Sequence, residues 1–344
     1  MKIATGFAPA ITPLITYFVM KRLIFVLALC AAGMKVSAGE RDSLLTVFWN
    51  LENFFDYHDD GNGESDREFS PEGKRRWTSR RFYEKCHLVA KSLFWIGDRY
   101  GRMPDVIGVA EVENRSVLNR LLKSTSLRKY DYQVVHRESR DRRGIDVALI
   151  YRRSCLDLVD ISYHVPEYDG ERMNTRDILH SRFRRKSDGG IYDFIVNHHP
   201  SKFGGPKESD GRRQAAMRTL RTVCDSLSGV SSVEGYTGVV AMGDFNDNPS
   251  GEQFGLLDGV LLNACEDEFR RGEGTIRFEG KWDLIDMFWV TPDLLEVSRS
   301  EILRIPFLMT RDRKHPGEKP LRTYSGPRYL GGVSDHCPIV LRIL

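Results

Sequence analysis

Close to its C-terminus the chain reads Gly332-Val333-Ser334-Asp335-His336-Cys337-Pro338, in which a carboxylate and an imidazole stand beside an apolar run. Two earlier stretches have the same character. Asn50-Leu51-Glu52-Asn53 follows the apolar residues 47–49, and Gly243-Asp244-Phe245-Asn246 follows the apolar residues 238–242. A sheet builds a polar cleft by delivering carboxylates and amides at the ends of its strands. The pattern therefore predicts several strands that converge on one polar site.

The rest of the chain predicts a mixture of strands and helices. Apolar residues recur at helical spacing between Arg80 and Ile96, whereas short apolar runs bounded by polar residues indicate strands. We expect strands at 105–111, 132–136, 145–151, 192–197, 238–242, 284–290 and 338–343, helices at 80–96, 113–122 and about 211–227, a surface loop at 57–73 and an irregular segment at 247–279. No internal repeat or linker interrupts this order, so residues 39–344 are predicted to form one α/β domain.

The N-terminal segment has the organisation of a secretory signal. Met20-Lys21-Arg22 is followed by an apolar run and then by the small residues of Val36-Ser37-Ala38. A charged start, an apolar centre and a small-residue cleavage site define such signals. We therefore interpret residues 1–38 as the signal region, with Met20 as the effective start and with export to the periplasm or the extracellular space. One long anchor through residues 5–33 and a lipoprotein anchor on Cys30 are the alternatives.

Charge and cysteine content narrow the remaining classes of function. The chain has 51 basic and 48 acidic residues, and residues 1–38 contain four of the basic ones and no acid. The remainder is close to neutral, so its overall charge gives no support for nucleic-acid binding. Basic clusters at 74–81, 137–143, 182–186 and 212–213 are either solvated faces or parts of a basic groove. Five scattered cysteines after residue 38, without a Cys-x-x-Cys pair, indicate neither a disulfide framework nor a structural zinc site.

Hard oxygen ligands are the first chemical feature of the predicted site. Carboxylate and amide oxygens select magnesium, manganese or calcium over zinc. Asp244 and Asn246 lie two residues apart, so they point the same way from an extended segment. The other oxygen ligands near strand ends are Asn50, Glu111 and Asp335. Mg²⁺ is usually held by one or two carboxylates and keeps waters that a substrate phosphate can replace. These side chains supply enough oxygen ligands for such a site.

Histidines supply the acid–base chemistry of the predicted site. His198 and His336 are candidates for a general base and for the cationic or acidic partner of a leaving oxygen. Asp286 is placed to orient His336 as the third member of a water-activating relay. Asparagine and neutral histidine also hold phosphate oxygens through hydrogen bonds. Together these residue types indicate metal-assisted hydrolysis of a phosphate ester.

Each motif alone also has an ordinary structural explanation. Asp244 suits a turn that is stabilised by local backbone hydrogen bonds, and Glu111 suits the first turn of the helix that follows it. His198 and His199, before a proline, are compatible with a surface position. Ser334 does not complete a serine-hydrolase triad, because three consecutive residues cannot adopt that geometry and the chain has no nucleophile elbow. The functional hypothesis therefore rests on the ordered set rather than on any one member.

The ordered set resembles the endonuclease/exonuclease/phosphatase superfamily, which includes deoxyribonuclease I-like enzymes, abasic-site endonucleases, inositol-polyphosphate phosphatases and bacterial sphingomyelinases. The matching segments are Trp49–Asn53, Ala110–Asn114, Gly144–Tyr151, Asn197–Lys202, Gly243–Asp247, Trp282–Asp286 and Ser334–His336. The resemblance is greatest to secreted bacterial members of unassigned substrate. It implies an α/β fold, a four-layered α/β/β/α sandwich of two mixed sheets flanked by helices, with the cleft at one edge of the packed sheets.

The resemblance also implies a role for each residue of the site. Glu111 is the implied principal ligand of a Mg²⁺ or Mn²⁺ ion, with Asn50 and Asp335 near the metal. The resemblance implies that Asn246, His198 and Asn50 bind the substrate phosphate. His198 is chosen over its neighbour because it directly follows Asn197, and because alternation along an extended segment points His199 away from the cleft.

The implied acid–base residues are Asp244, His336, Asp286 and His198. Asp244 positions or activates the attacking water, and His336 pairs with Asp286 as a base or as a group that polarises the phosphate. Whether Asp244 or His336 takes the proton stays open at this point.

Three functions are consistent with these observations. The first is a secreted Mg²⁺- or Mn²⁺-dependent phosphodiesterase, a nuclease on DNA or RNA, in which water attacks phosphorus in line without a covalent intermediate. The second is a phosphatase or a phospholipase C-type enzyme on inositol phosphates or sphingomyelin, for which Phe307-Leu308-Met309 is a faint candidate for a membrane-dipping segment. The third is a catalytically silent binding module on the same fold, against which the presence of Glu111, Asp244, Asn246 and His336 argues.

Overall fold

The computed structural model describes residues 43–61, 63–202, 205–229 and 234–344, which form twenty strands and five α-helices. The strands are β1 (Leu44–Phe54), β2 (Val106–Val112), β3 (Tyr132–His136), β4 (Asp146–Arg152), β5 (Leu156–His164), β6 (Glu167–Tyr168), β7 (Glu171–Arg172), β8 (Ile178–Arg185), β9 (Ile191–His198), β10 (Tyr236–Asp244), β11 (Leu262–Asn263), β12 (Ile276–Phe278), β13 (Lys281–Asp283), β14 (Asp286–Val290), β15 (Ser298–Ile302), β16 (Met309–Arg311), β17 (Glu318–Pro320), β18 (Tyr324–Ser325), β19 (Arg328–Tyr329) and β20 (Ile339–Ile343). The helices are α1 (Ser79–Tyr100), α2 (Arg115–Ser124), α3 (Pro206–Ser228), α4 (Glu266–Arg270) and α5 (Pro292–Val297).

Twelve of these strands form two six-stranded mixed sheets. The strand order is β15-β20-β1-β2-β4-β3 in the first sheet and β11-β14-β10-β9-β8-β5 in the second. Each sheet has one parallel pair at its centre, β1 with β2 and β10 with β9, and all its other neighbours are antiparallel. The carboxyl ends of a parallel pair lie at the same edge of its sheet. The two central pairs therefore deliver Asn50, Glu111, His198 and Asp244 to one edge.

Strand β1 shows why the domain is layered. Its side chains alternate between two faces: Phe48 belongs to the core that also contains residues of the second sheet, whereas Val47 and Trp49 belong to a core shared with α1 and α2. On the other side, α3 contributes Met217 and Leu220 to the core of the second sheet. The order is helices, sheet, sheet, helix, and the predicted α/β/β/α sandwich is confirmed.

The fold differs from the sequence prediction in several parts, among them β15 and α5, which lie where no element was predicted. Strands β5 and β8 were not predicted, because polar residues such as His180 occupy the buried face of β8 and apolar Val159 is exposed on β5. Helix α3 begins at Pro206 rather than near residue 211, since its apolar periodicity starts only after a polar first turn. The segment 247–279 is not wholly irregular, because it contains β11, α4 and β12.

The candidate membrane-dipping segment is also corrected by the structure. Leu308 is buried in the core, and the Phe307 ring lies 4.0 Å below the Lys91 ammonium group. The segment is therefore packed against α1 and is not an exposed apolar hairpin. Within the described residues, no helix is both long and apolar enough to cross a bilayer. The predicted signal region at 1–38 lies outside the described residues.

Candidate active site

Strand register brings the predicted polar residues to one edge of the two sheets. In the first sheet Asn50 is paired with Ala110, directly before Glu111. In the second sheet Asp244 is paired with His198 on one side and with Asp286 on the other. A hydrogen bond of 3.0 Å from Asn50 Nδ2 to Asp244 Oδ2 joins the ends of the two sheets. The site is thus assembled between the sheets, at the carboxyl ends of their central parallel strands.

Four residues of this edge have a left-handed backbone without being glycine. The φ angles are 46° at Glu52, 49° at Asn53, 58° at Glu111 and 53° at Asn246. Local hydrogen bonds hold this geometry, including those from the Glu52 amide to Asn50 Oδ1 and from the Asn246 amide to Asp244 Oδ1, each 2.9 Å long. Left-handed non-glycine residues cost free energy and cluster at functional sites. The strain here turns the strands so that their polar side chains face one another.

His336 is held by a buried carboxylate. Its Nδ1 lies 2.7 Å from Asp286 Oδ2, and its Nε2 lies 3.9 Å from Asp244 Oδ2. Burial opposes a charge on the ring, but the Asp286 carboxylate, its hydrogen bond and Asp244 raise the pKa of His336 well above its usual value. The ring therefore carries a proton and presents Nε2–H to the cleft.

Ser334 has a structural role in placing this histidine. Its hydroxyl donates to the carbonyl of Asn50 at 2.6 Å and accepts from the amide of His336 at 3.0 Å. The indole Nε1 of Trp49 donates to the His336 carbonyl at 2.9 Å. The C-terminal motif is therefore fastened to the end of β1.

Asp244 is the centre of the buried polar group. Its Oδ2 accepts from Asn50 and lies 3.6 Å from His198 Nε2. Burial, followed by the charge of Asp286, raises the pKa of the Asp244 carboxyl to about 7. The carboxyl can therefore gain or lose a proton near neutral pH, as a general base must.

His198 and His199 have opposite environments. The His198 ring faces the cleft, with Nε2 at 3.6 Å from Asp244 and 4.0 Å from Glu111 Oε1. Burial, followed by the charges of Arg176 and Arg143, holds the pKa of His198 well below its usual value. The His199 ring instead packs edge-on against Phe245, with the ring centroids 5.0 Å apart. Only His198 is in reach of a ligand in the cleft.

A change of His199 to leucine is expected to reduce the sensitivity of the fold to acid. The ring is buried, and neither of its nitrogens has a hydrogen-bond partner among the described residues. Burial, followed by the charges of Arg176 and Arg213, lowers its pKa from 6.5 to about 3. The unfolded chain therefore binds a proton below pH 6.5 that the folded chain does not, so stability is lost as the pH falls from 6.5 towards 3.

This loss amounts to about 2 kcal/mol at pH 5 and is absent above pH 7. Denaturant unfolding of His199→Leu at pH 7 and pH 5, in EDTA, should show a drop smaller than that of the wild type by this amount. His87→Leu, at an exposed position on α1, is the control. An unchanged drop in His199→Leu would show that His199 does not contribute to the acid sensitivity.

The residues at the cleft fit a divalent cation. Glu111 Oε2 accepts from the Asn53 amide at 2.8 Å, whereas the charged groups that approach Oε1 from the described residues are Arg143 at 3.7 Å and His198 at 4.0 Å. Burial, followed by a neighbouring carboxylate, raises the pKa values of Glu52 and Asp244, and a bound cation would favour the charged form of each. Carboxylate and amide oxygens are ligands that suit Mg²⁺ or Mn²⁺.

Two sets of side chains at this edge can be compared as metal ligands. Ligand atoms of Asp244, Asp286 and His336 lie within 4.8 Å of one another. We interpret this group as an acid–base set, because the short His336–Asp286 hydrogen bond already uses the Nδ1 proton and leaves no lone pair there for a metal. Glu111 offers an open oxygen at the cleft. Asp335 does not stand free beside it, because its Oδ2 forms an ion pair of 2.9 Å with Arg322.

A second charged group, which no sequence motif marks, lies beside this edge and contains Glu52, Lys85, Arg322 and Asp335. The Arg322 guanidinium bridges Asp335 and Glu52 with two contacts of 2.9 Å. The buried Lys85 ammonium donates to the Glu52 carbonyl at 2.7 Å and to the Thr323 hydroxyl at 2.9 Å. Burial, followed by the charge of Asp335, raises the pKa of Glu52 to about 7. Arg322 and Lys85 stand 270 and 33 residues from Glu52, so no local motif marks them.

The fold and the site together define a phosphoester hydrolase of the α/β/β/α-sandwich class. A family model described as the endonuclease/exonuclease/phosphatase family matches residues 45–344, and the chain belongs to this family. A search of the curated proteins found no match.

Solved structures with the same fold have little sequence identity to this chain. A mannosyl-6-phosphatase of Bacteroides thetaiotaomicron is 17% identical over 88% of this chain and 100% of its own, with a TM-score of 0.55. The human Nocturnin catalytic domain with bound sulfate is 15% identical over 87% and 92% of the two chains, with a TM-score of 0.55. Zebrafish (D. rerio) TDP2 in complex with a single-strand DNA product is 13% identical over 88% and 98%, with a TM-score of 0.51. At this identity the likeness establishes the fold.

Proposed function

We propose that the protein is an exported, Mg²⁺- or Mn²⁺-dependent nuclease that hydrolyses phosphodiester bonds of DNA or RNA by direct attack of water. The observation that carries this proposal is the row formed by Asp286, His336 and Asp244 at the meeting point of the two sheets. Export rests on the sequence pattern of residues 1–38.

The proposed roles follow from what each side chain holds. Asp286 keeps His336 protonated, so His336 donates from Nε2 to an oxygen of the phosphate. Asp244 then orients the water and takes its proton, because His336 already carries one. This arrangement needs no covalent intermediate, since the site offers a base rather than a nucleophile.

The remaining groups of the cleft hold the phosphate in line. His198 is neutral in the folded protein and reaches the cleft with Nε2. The side-chain amide of Asn50 lies beside Asp244, and Asn246 Nδ2 donates to the His199 carbonyl at 3.0 Å, which fixes the orientation of the Asn246 side-chain amide. Neutral donors that are fixed before the reaction stabilise the developing charge on the phosphate.

A divalent cation would be held by Glu111, with Asn50 and Asp335 near it. When bound, the cation neutralises charge on the phosphate oxygens. Arg143, with Nη1 3.7 Å from Glu111 Oε1, is the positive group already present at this position.

The proposal is tested with supercoiled plasmid, Mg²⁺ and the purified protein. Nicking that EDTA abolishes, and that is absent in His336→Ala, is the expected result. A failure to nick plasmid, together with release of phosphate from inositol phosphates or sugar phosphates, would replace the nuclease by a phosphatase on the same site. Zebrafish TDP2 with its DNA product and the Bacteroides mannosyl-6-phosphatase illustrate these two outcomes on one fold.

Glu111→Gln is expected to raise the Mg²⁺ concentration needed for half-maximal activity by more than about 10-fold. The substitution keeps the shape of the side chain and removes the charge that attracts the cation. Activity titrations with Mg²⁺ and Mn²⁺ measure the shift, and calorimetry measures metal binding directly. Glu138→Gln, at an exposed position, is the matched control. If the titration of Glu111→Gln matched that of the wild type, Glu111 would not be a metal ligand.

A further inference from the structure

A cavity of about 450 Å³ lies next to the candidate active site, beyond His198 and His199. Its walls come from the β6–β7 hairpin, the residues that follow it, the segment after β9 and the first turns of α3. Charged and aromatic side chains dominate the wall: Arg142, Tyr168, Glu171, Arg172, Arg176 and Arg212. We refer to it as the arginine cavity. Its volume is in the range of cavities that bind small ligands or one unit of a polymer.

Arg176 joins the arginine cavity rigidly to the active site. This buried side chain donates from Nε to the His198 carbonyl at 3.1 Å and from Nη2 to the His199 carbonyl at 2.6 Å. Its Nη1 donates to Asp141 Oδ2 at 2.9 Å. These contacts fully engage the guanidinium group, so Arg176 acts as a fixed wall. A ligand in the cavity would be held at a constant position relative to His198.

A single loop also reaches both places. Arg143 approaches Glu111 to 3.7 Å, and the preceding Arg142 lines the cavity. The cavity and the cleft are therefore neighbouring subsites that one extended ligand can occupy together.

The wall of the cavity carries a clear excess of positive charge. Four guanidinium groups face one carboxylate, that of Glu171. Arg212 forms no hydrogen bond or ion pair with any residue in the described part of the chain, and Arg172 has a single ion contact, 3.9 Å from Glu167. Arg142 pairs with Glu64 where both side chains are largely exposed, a contact that contributes little. Three guanidinium groups are thus available to an anion, and guanidinium groups bind phosphate oxygens well.

An aromatic ring completes the wall. Tyr168, on the β6–β7 hairpin, is 37% exposed and packs against the start of α3. A Cβ atom at Gly211 would stand 2.8 Å from the Tyr168 hydroxyl, so the glycine permits this close packing. An exposed ring beside guanidinium groups is the combination that binds a base and its phosphate in single-stranded nucleic acids.

We propose that the arginine cavity binds the nucleotide that adjoins the scissile phosphate of a nucleic-acid strand. Its phosphate contacts Arg142, Arg172 and Arg212, and its base or sugar packs against Tyr168. The inference rests on the proposed nuclease function and extends it, because it makes the substrate an oligonucleotide rather than a phosphate monoester.

Binding is tested with a fluorescent single-stranded oligonucleotide in EDTA, so that no cleavage occurs. Arg172→Gln/Arg212→Gln should weaken binding by at least about 10-fold. The slope of log affinity against log salt should become shallower by up to about 0.7, because the contact with one phosphate is weakened. Arg218→Gln/Arg270→Gln removes the same charge from exposed positions outside the cavity and should bind like the wild type. Tyr168→Leu should lose at least about 5-fold, and Tyr168→Phe should not.

Catalysis gives a second readout. The ratio of kcat/KM for the oligonucleotide to that for bis(p-nitrophenyl) phosphate should fall at least about 10-fold in Arg172→Gln/Arg212→Gln. The ratio should stay at the wild-type value in Arg218→Gln/Arg270→Gln.

The cavity and the nuclease proposal fail in different ways. If the two double variants bind the oligonucleotide equally, or if the wild type binds a sugar phosphate but no oligonucleotide, the cavity proposal is overturned whatever the enzyme cleaves. If the wild type cleaves neither ester with Mg²⁺ or Mn²⁺, the nuclease function is wrong, and the binding measurements in EDTA still decide what the cavity holds.

Discussion

His336→Ala is expected to lower kcat for phosphodiester hydrolysis by at least about 10³-fold. The Asp286 carboxylate lies 2.7 Å from the ring and raises its pKa well above the usual value, and Nε2 is directed towards Asp244. Alanine removes the donor to the phosphate and leaves the carboxylates of Asp244 and Asp286 without their cationic partner. Both effects raise the transition state relative to bound substrate, so kcat falls more than KM changes.

Two observations separate loss of chemistry from loss of structure in this variant. Its circular dichroism and its affinity for an oligonucleotide in EDTA should stay close to those of the wild type, and added imidazole should restore part of the activity. His87→Ala, on the exposed face of α1, is the matched control and should retain full turnover. Near-normal turnover in His336→Ala would remove His336 from the mechanism.

Asp244→Asn is expected to reduce kcat by at least about 10³-fold while the folded state keeps or gains stability. Asparagine cannot take a proton from water. The wild-type carboxyl is buried beside Asp286, and its pKa is raised from 3.8 to about 7. The folded state thus binds a proton more tightly than the unfolded state, so this carboxyl destabilises the fold increasingly as the pH rises from about 4 to 7. Asparagine is neutral throughout, so the variant loses this component of the pH dependence.

Denaturant unfolding at pH 8 in EDTA, beside single-turnover kinetics with metal, measures both effects. The variant's unfolding free energy should lie within about 1 kcal/mol of the wild-type value or above it. Asp293→Asn, at an exposed position in α5, controls for the loss of one negative charge. A variant that is both active and less stable than the wild type would show that Asp244 is a structural residue.

Much of the fold could be predicted because its central strands are strongly apolar. The runs before Asn50, Glu111 and Asp244 are buried on both faces, so composition alone marks them as strands. Strands β5 and β8 could not be predicted from apolar patterning, because their polar side chains pair within the sheet. His180 Nε2, for example, lies 2.7 Å from Asp193 Oδ1, and Arg182 pairs with the same carboxylate. Apolar periodicity is lost wherever a buried charge is neutralised by a neighbouring strand.

The groups of the site that sequence could not show are those defined only by tertiary contacts. Arg176 binds two backbone carbonyls, and Lys85 binds one carbonyl and one hydroxyl. Backbone carbonyls carry no sequence signal, so neither partner could be inferred. Arg322 pairs with Glu52 across 270 residues, and a sequence pattern does not reveal which of many arginines does so. Motifs identify groups that face the ligand, whereas the supporting charges depend on the packing of distant segments.

The first and last strands of the domain are neighbours in one sheet, and this affects the order in which the domain can fold during synthesis. Strands β1 and β20 are adjacent, with Leu44 paired to Ile343, and Trp49 donates to His336 across 287 residues. During synthesis on the ribosome β1 emerges first, whereas its neighbour β20 is made only after nearly the whole domain has been translated. A chain that stops short of residue 336 lacks His336 and strand β20, so it cannot form the complete candidate site. The candidate site is therefore complete only when the last strand of the first sheet has been added to the chain.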